Sequence, residues 1–188
     1  MIKDLIINAN IIKIKKNNLF FFSFIILFVL SLIIVKADLL GSISLIFLAL
    51  ITFYLSRYFK SLSTILYVAL CVRLVVIFMG NFLIILPDSW GDATLFEQKA
   101  WLMSQDGFFA VFDKFPSDET SLFISWILAF IYSLTDRSVI MIQAISLLFG
   151  MGSILLGSLL ASKIWSEKTS IKVGWILALY PTLILYSC

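Results

Sequence analysis

The sequence predicts an all-α polytopic membrane protein, and three observations carry that prediction. Of 188 residues, 62% are hydrophobic, against about 45–50% in soluble domains. Mean hydropathy is +1.09. The apolar residues fall in runs long enough to cross a bilayer, which takes about 20 residues, and one long polar stretch, Pro87 to Thr120, interrupts them. About six transmembrane helices with one large exterior loop follow from this pattern.

Composition also excludes whole classes of chemistry. The chain has no His, which removes imidazole bases, His metal ligands and Ser-His-Asp triads. It has no GxGxxG or GxxxxGK[ST] phosphate loop. Cys71 and Cys188 sit inside apolar runs and read as small hydrophobes. The net charge of +3 is spread over termini and loops with no basic patch among exposed aromatics, so nucleic acid is not an expected partner. Membrane lipids are.

Residues 1–18 carry Lys3, Lys13, Lys15 and Lys16 and read as a cytoplasmic tail. Leu19 to Val35 is too long and wrongly flanked for a cleaved signal and leaves through Lys36-Ala37-Asp38, which makes it a first span. Leu39 to Ser56 follows at once, so the pair forms a tight hairpin. After Arg57 and Lys60 comes a third span, Thr64 to Leu86, closing the 19–86 block; Pro87 ends it because proline disfavours helix at the preceding residue. Beyond the 87–120 loop, residues 121–188 supply a short fourth span, Ser121 to Thr135, an Asp136-Arg137 turn, a long fifth span, Val139 to Trp165, and a sixth run, Val173 to Cys188. That last run has no charged anchor at its end, which reads as the amino-terminal portion of a longer protein. Ser153, Gly157 and Ala161 form a small-residue face on the fifth span, suited to close helix approach.

The positive-inside rule sets the tail, Arg57 and Lys60 against Lys36, Lys99 and Lys114. The amino terminus is then cytoplasmic and the polar loop exterior, in a cell (inner) membrane. Lys163, Lys168 and Lys172 conflict with strict alternation. Either the rule is overridden there, or the short fourth segment does not fully span.

Within the loop, Asp92 occupies a helix N-cap position before the helix-forming run Ala93 to Met103. Leu95, Phe96, Ala100, Trp101 and Met103 give that helix an apolar side, with Glu97, Gln98 and Lys99 as its solvated face, so it is expected to lie on the membrane surface. Trp90, Trp101, Phe108, Phe109, Phe112 and Phe115 suit the same level. Asp106, Asp113 and Lys114 read as solvated. Asp92 is a cap, and the same position suits a general base or a metal ligand. Asp88, four residues earlier, is either a second acid for metal or substrate or a solvated turn residue. Arg73 lies inside the third span, where a charge costs about 2.5–3.5 kcal/mol. It either faces a cavity and holds the phosphate of a lipid carrier, or is offset by a carboxylate on another span or by snorkelling.

Asp92, Phe96 and Ala100 match a pattern in the first exterior loop of GT-C-class membrane glycosyltransferases, a class that includes protein O-mannosyltransferases and lipid A aminoarabinose transferases. The segment SLFISWILAFIYSLTDRSVIMIQAISLLFG resembles that family's second and third spans, and ALYPTLILYS its next proline-containing segment. Ala93 stands where the family usually has a second acid, Asp118-Glu119-Thr120-Ser121 where many members have a Lys-Pro-Pro-like sequence, and two helices precede the span equivalent to the family's first. The resemblance implies transfer of a sugar from a polyprenyl-phosphate donor to an exterior acceptor. Asp92 would be the catalytic base and a divalent metal a candidate cofactor, held by Asp88 and Asp92. A polysaccharide polymerase would share the loop and the carrier. From other classes, Arg73 and the small-residue face suit a transporter or flippase subunit for a lipid-linked saccharide, and a scaffold is the third reading.

Overall fold

The computed structural model describes residues 38–83, 92–115 and 122–185, with the side chain of Asp92 outside that description. The expectations for the tail, the first span, Asp88 and Cys188 therefore lie outside the described residues. What is described is helical throughout, apart from short connections.

Helix α1, Leu39–Tyr58, starts where Asp38 accepts a hydrogen bond from the Gly41 N–H at 2.8 Å. It turns through residues 59–62 into α2, Ser63–Phe82, and the turn is braced by a 2.5 Å hydroxyl contact between Ser56 and Tyr67. The long α6, Val139–Ile164, is capped by Ser138, whose hydroxyl accepts from the Met141 N–H. Only these three of the described helices have the length and apolarity to cross a membrane. Between α2 and α6 lie α3, Asp92–Ser104, α4, Phe108–Asp113, and α5, Phe123–Leu134. After α6 come α7, Glu167–Leu179, capped by Ser166, and the short α8, Pro181–Leu185.

Because lipid is as apolar as Leu, burial of Leu or Ile alone cannot decide which face of a span turns inward. Close packing and local hydrogen bonds decide it. The inner face of α1 carries Gly41, Ser42, Thr52 and Ser56, all buried, while Phe47 and Leu50 face outward. Thr52 returns its hydroxyl to the Leu48 carbonyl at 2.9 Å, so a buried polar atom costs nothing unsatisfied. At Gly174 a methyl group would lie 2.8 Å from Ser158 Oγ and 3.0 Å from Ile65 Cδ1, which is why α7 can fit against both α6 and α2. Of the expected small-residue face, Gly157 lies against Leu177 and Ala161 is buried, but Ser153 points outward and bonds the Phe149 carbonyl.

The Ser138 hydroxyl donates to Asp38, joining the caps of α6 and α1, and Asn81 near the end of α2 donates to Gln143 in α6 at 2.8 Å. The starts of α1 and α6 and the end of α2 therefore share one end of the bundle. Between leaving α2 and starting α6 the chain must cross the membrane an even number of times. Helices of 13 and 12 residues, α3 and α5, reach only about 20 and 18 Å of a core about 30 Å thick. The expected fourth span, Ser121 to Thr135, is found among the described residues as α5, an apolar helix of 12 residues that is shorter than a full crossing and packs on α3 and α4. Three helices of spanning length are found among the described residues, and the expected first span lies outside them. The sixth apolar run also differs, for its helix begins at Glu167 and breaks at Tyr180, before Pro181.

Gly41 is the closest contact between α1 and α6, since a methyl group there would sit 2.7 Å from Ile140 Cβ and 2.7 Å from Asp38 Oδ2. Gly41→Ala should lower stability in detergent by about 1–3 kcal/mol, the usual cost of overpacking. Gly152 has nothing within 4 Å, so Gly152→Ala should be neutral or stabilising by up to about 1 kcal/mol. Thermal melts of both variants in one detergent check the contrast.

Candidate functional site

The cap formed by α3, α4 and α5 is held to the bundle by one helical face of α3. Ala100 is fully buried and packs with Tyr132 of α5 and Met141 of α6, and Trp101 meets the Tyr132 ring edge-on at 5.8 Å. Residues three apart on a helix share a face, so burying Ala100 carries Glu97 inward. Glu97 is only 8% exposed. It accepts from the Tyr132 hydroxyl at 2.8 Å and from Arg137 Nε and Nη2 at 2.9 and 2.8 Å, the paired fork that gives Arg its strongest carboxylate contacts. Arg137 in turn sits beside Ser138, which links α6 to Asp38. A single chain of polar contacts therefore runs from α3 through the α5–α6 junction to the start of α1.

This corrects the expectation that Glu97 lies on a solvated face. Three consecutive polar residues on a helix are spread about 100° apart, so they cannot share one face with water. Gln98 is exposed, Lys99 is half-buried, and Glu97 takes the inward position. Tyr132 and Arg137, the partners that sequence reasoning missed, flank the end of an apolar run, and no local spacing ties them to Glu97.

Burial pushes the Glu97 carboxyl upward, but the hydrogen bonds from Arg137 and Tyr132 and the Arg137 charge outweigh it and hold the group below the ordinary carboxylate range. The bond to Glu97 raises Arg137 despite its partial desolvation. A carboxylate so held is a weak base. Its evident work is to fix the position of α3, whose first residue, Asp92, lies five residues earlier.

Asp92 is the first helical residue of α3, and the cap expected of its side chain lies outside the described residues. Asp106, expected to be solvated, pairs with Lys114, which also donates to the Met103 carbonyl at 3.0 Å. That pair closes the α3–α4 corner around Gly107, where a φ of 94° favours glycine. Asp113 is exposed as expected. Among the described residues no group of three or more Cys, Asp or Glu side chains is placed to hold a metal. A metal would fall to Asp88 and Asp92, whose side chains lie outside the description.

Arg73 is 1% exposed in α2. Its Nη1 donates to the Ala178 carbonyl at 3.0 Å and its Nη2 lies 3.5 Å from that of Leu177. The reason lies in the break after α7: Pro181 has no N–H, so the Leu177 carbonyl loses its regular helical donor. The guanidinium serves that end of the helix, where the partial charge is negative. A contact with a lipid phosphate would require these bonds to be exchanged.

Two variants test the arrangement. Tyr132→Phe removes a hydrogen bond to a charged acceptor and should cost about 1.5–3 kcal/mol. For Glu97 the folded-state value lies below that of the unfolded chain, near 4.3, so its stabilisation is complete above that pH and is lost as pH falls through the folded value. Glu97→Gln should be less stable than the parent by about 1–2 kcal/mol near neutrality, since the half-exposed Arg137 leaves the pair partly screened. The difference should shrink in acid below about pH 4, and melts across pH measure it. Arg73→Leu should lower stability by about 1.5–3 kcal/mol, with Arg73→Lys recovering part because it keeps the charge without the fork.

No family model matches the chain, and neither the curated proteins nor the solved structures contain a significant match.

Proposed function

We propose that the protein is a GT-C-class glycosyltransferase that moves a sugar from a polyprenyl-phosphate donor to an acceptor on the exterior face, with Asp92 as general base. The observation that carries the reading is that α3 opens at Asp92 and is locked through Glu97 to the α5–α6 junction, which fixes the first turn of α3 relative to the spans. A base must be positioned before its pKa matters. Resemblance in the Asp92, Phe96 and Ala100 pattern supports the assignment, and burial of Ala100 gives that small residue a physical reason.

Orientation follows from charge. Among the described residues Arg57, Lys60, Lys163, Lys168 and Lys172 gather with Glu167 at the end opposite the cap, while the cap end carries Lys99, Lys114 and Arg137 beside Asp38, Glu97, Asp106, Asp113 and Asp136, so the Lys and Arg residues that set orientation number five against three. With α5 too short for a full crossing, the conflict over Lys163, Lys168 and Lys172 disappears: the basic end is cytoplasmic and the acidic cap exterior, in the cell (inner) membrane.

A second reading, transport of a lipid-linked saccharide, is favoured by the broken α7–α8 segment and the buried Arg73 at its break, because transporters use interrupted helices near the bilayer midplane. Purified protein in vesicles with a labelled polyprenyl-phosphate sugar separates the two. Transferase activity gives label on an acceptor; transport gives label moved between leaflets with the carrier intact.

Asp92→Asn keeps an equally good N-cap and removes the base, so it should lower transfer by about 10²–10⁴-fold with an unchanged melting temperature. Asp88→Asn should be milder. A parent-like rate in Asp92→Asn would leave Asp92 a cap and remove the assignment's central residue.

A further inference from the structure

Helices α4 and α5 present an aromatic pad that the proposed chemistry does not use. Trp126 lies at its centre, 5.0 Å from the Phe115 ring and 4.8 Å from Phe130, and its indole N–H donates to the Val111 carbonyl at 2.8 Å. Phe112 closes on Phe130 at 4.7 Å. Inside this scaffold the rings are ordered by one another. Its outer surface is different: Phe109 is 83% exposed, Phe115 52%, Ile124 54% and Ile127 40%.

We infer that this pad seats in the lipid of the exterior leaflet at the headgroup boundary, so that α3, α4 and α5 form a cap anchored in one leaflet without crossing the bilayer. Three observations identify lipid as the occupant. First, α5 carries no charged residue, and both its serines are withdrawn from the outer face: Ser125 is fully buried, and Ser133 returns its hydroxyl to the Phe130 carbonyl at 2.8 Å. Second, a span begins close by. Leu134, at the end of α5, is 69% exposed, and Val139, the exposed first residue of α6, follows after the exposed polar turn Thr135-Asp136-Arg137. The end of α5 therefore lies at the level where α6 enters the membrane. Third, the water-compatible residues of the cap, Gln98, Gln105, Asp106 and Asp113, are exposed on α3, on α4 and at the corner between them, whereas none lies on α5. A helix with one apolar side and polar neighbours lies about 5–10 Å into the headgroup and acyl boundary, where Trp is enriched. This inference does not depend on sugar transfer.

The test uses single cysteines in the full chain with Cys71 and Cys188 replaced by Ala, reconstituted in vesicles of phosphatidylethanolamine and phosphatidylglycerol. Gln105→Cys and Asp136→Cys should react with an impermeant maleimide from one side, and Glu167→Cys from the other. Reaction of Asp136→Cys from the side opposite Gln105→Cys would show that α5 crosses and would overturn the inference. Spin labels at Phe109→Cys and Ile127→Cys should then collide with oxygen several-fold more, relative to an aqueous nickel chelate, than a label at Gln105→Cys. Nickel access equal to that at Gln105 would place the pad in water, and protection from both reagents would mean that a protein partner covers it; either result overturns lipid as the occupant. Phe109 is exposed enough for its replacement to leave the fold intact, so the accessibility result stands even if Ile127→Cys is poorly folded.

Discussion

Everything in this molecule hangs on the hydrogen-bonded junction of two helix starts. Asp38 caps α1, Ser138 caps α6, and the hydroxyl of the second donates to the carboxylate of the first. A helix start leaves N–H groups without partners, a serious cost near hydrocarbon. Using one linked pair of side chains at both starts removes that cost and also fixes which helix ends are neighbours. The shared end of α1, α2 and α6 and the position of α3, α4 and α5 over it follow from that one placement.

The junction extends outward through Arg137 to Glu97. In water such an ion pair would be worth little. Beside a membrane, the cap has few other means of attachment that are specific, because apolar contact with α6 competes directly with apolar contact with lipid. The paired Arg–carboxylate geometry and the Tyr132 hydroxyl supply direction. A polar link supported by one fully buried alanine is thus how a short amphipathic helix acquires a fixed register above the spans.

Much of this was legible in the sequence, and the failures share one cause. Hydrophobic runs gave the starts of α1, α2 and α6 to within a residue and the ends of α1 and α6 to within two, while α2 ends at Phe82, short of the expected Leu86. Arg73 stood out because a charge inside an apolar run must be offset, but beyond the Ala69 carbonyl of its own helix the acceptors at the end of α7 lie more than a hundred residues away. Glu97 was misread because three adjacent polar residues resemble a solvated face until the helix is docked. The run Ser121 to Thr135 forms a helix of 12 residues, and composition alone reports affinity for lipid, which an interfacial helix satisfies as well as a crossing one. Crossing parity is a tertiary fact. The side chains of Asp88 and Asp92, on which the proposed chemistry depends, lie outside the described residues.

The contact between Arg73 and the end of α7 has a consequence for biogenesis. Arg73 precedes Ala178 by 105 residues, so at about 5–20 residues per second of synthesis about 5–20 s separate the guanidinium from the α7 carbonyls. In the finished fold it also reaches the Ala69 carbonyl of its own helix at 3.4 Å, a partner that is made before it. The tie between α2 and the end of α7 is therefore among the last contacts of the described bundle to form.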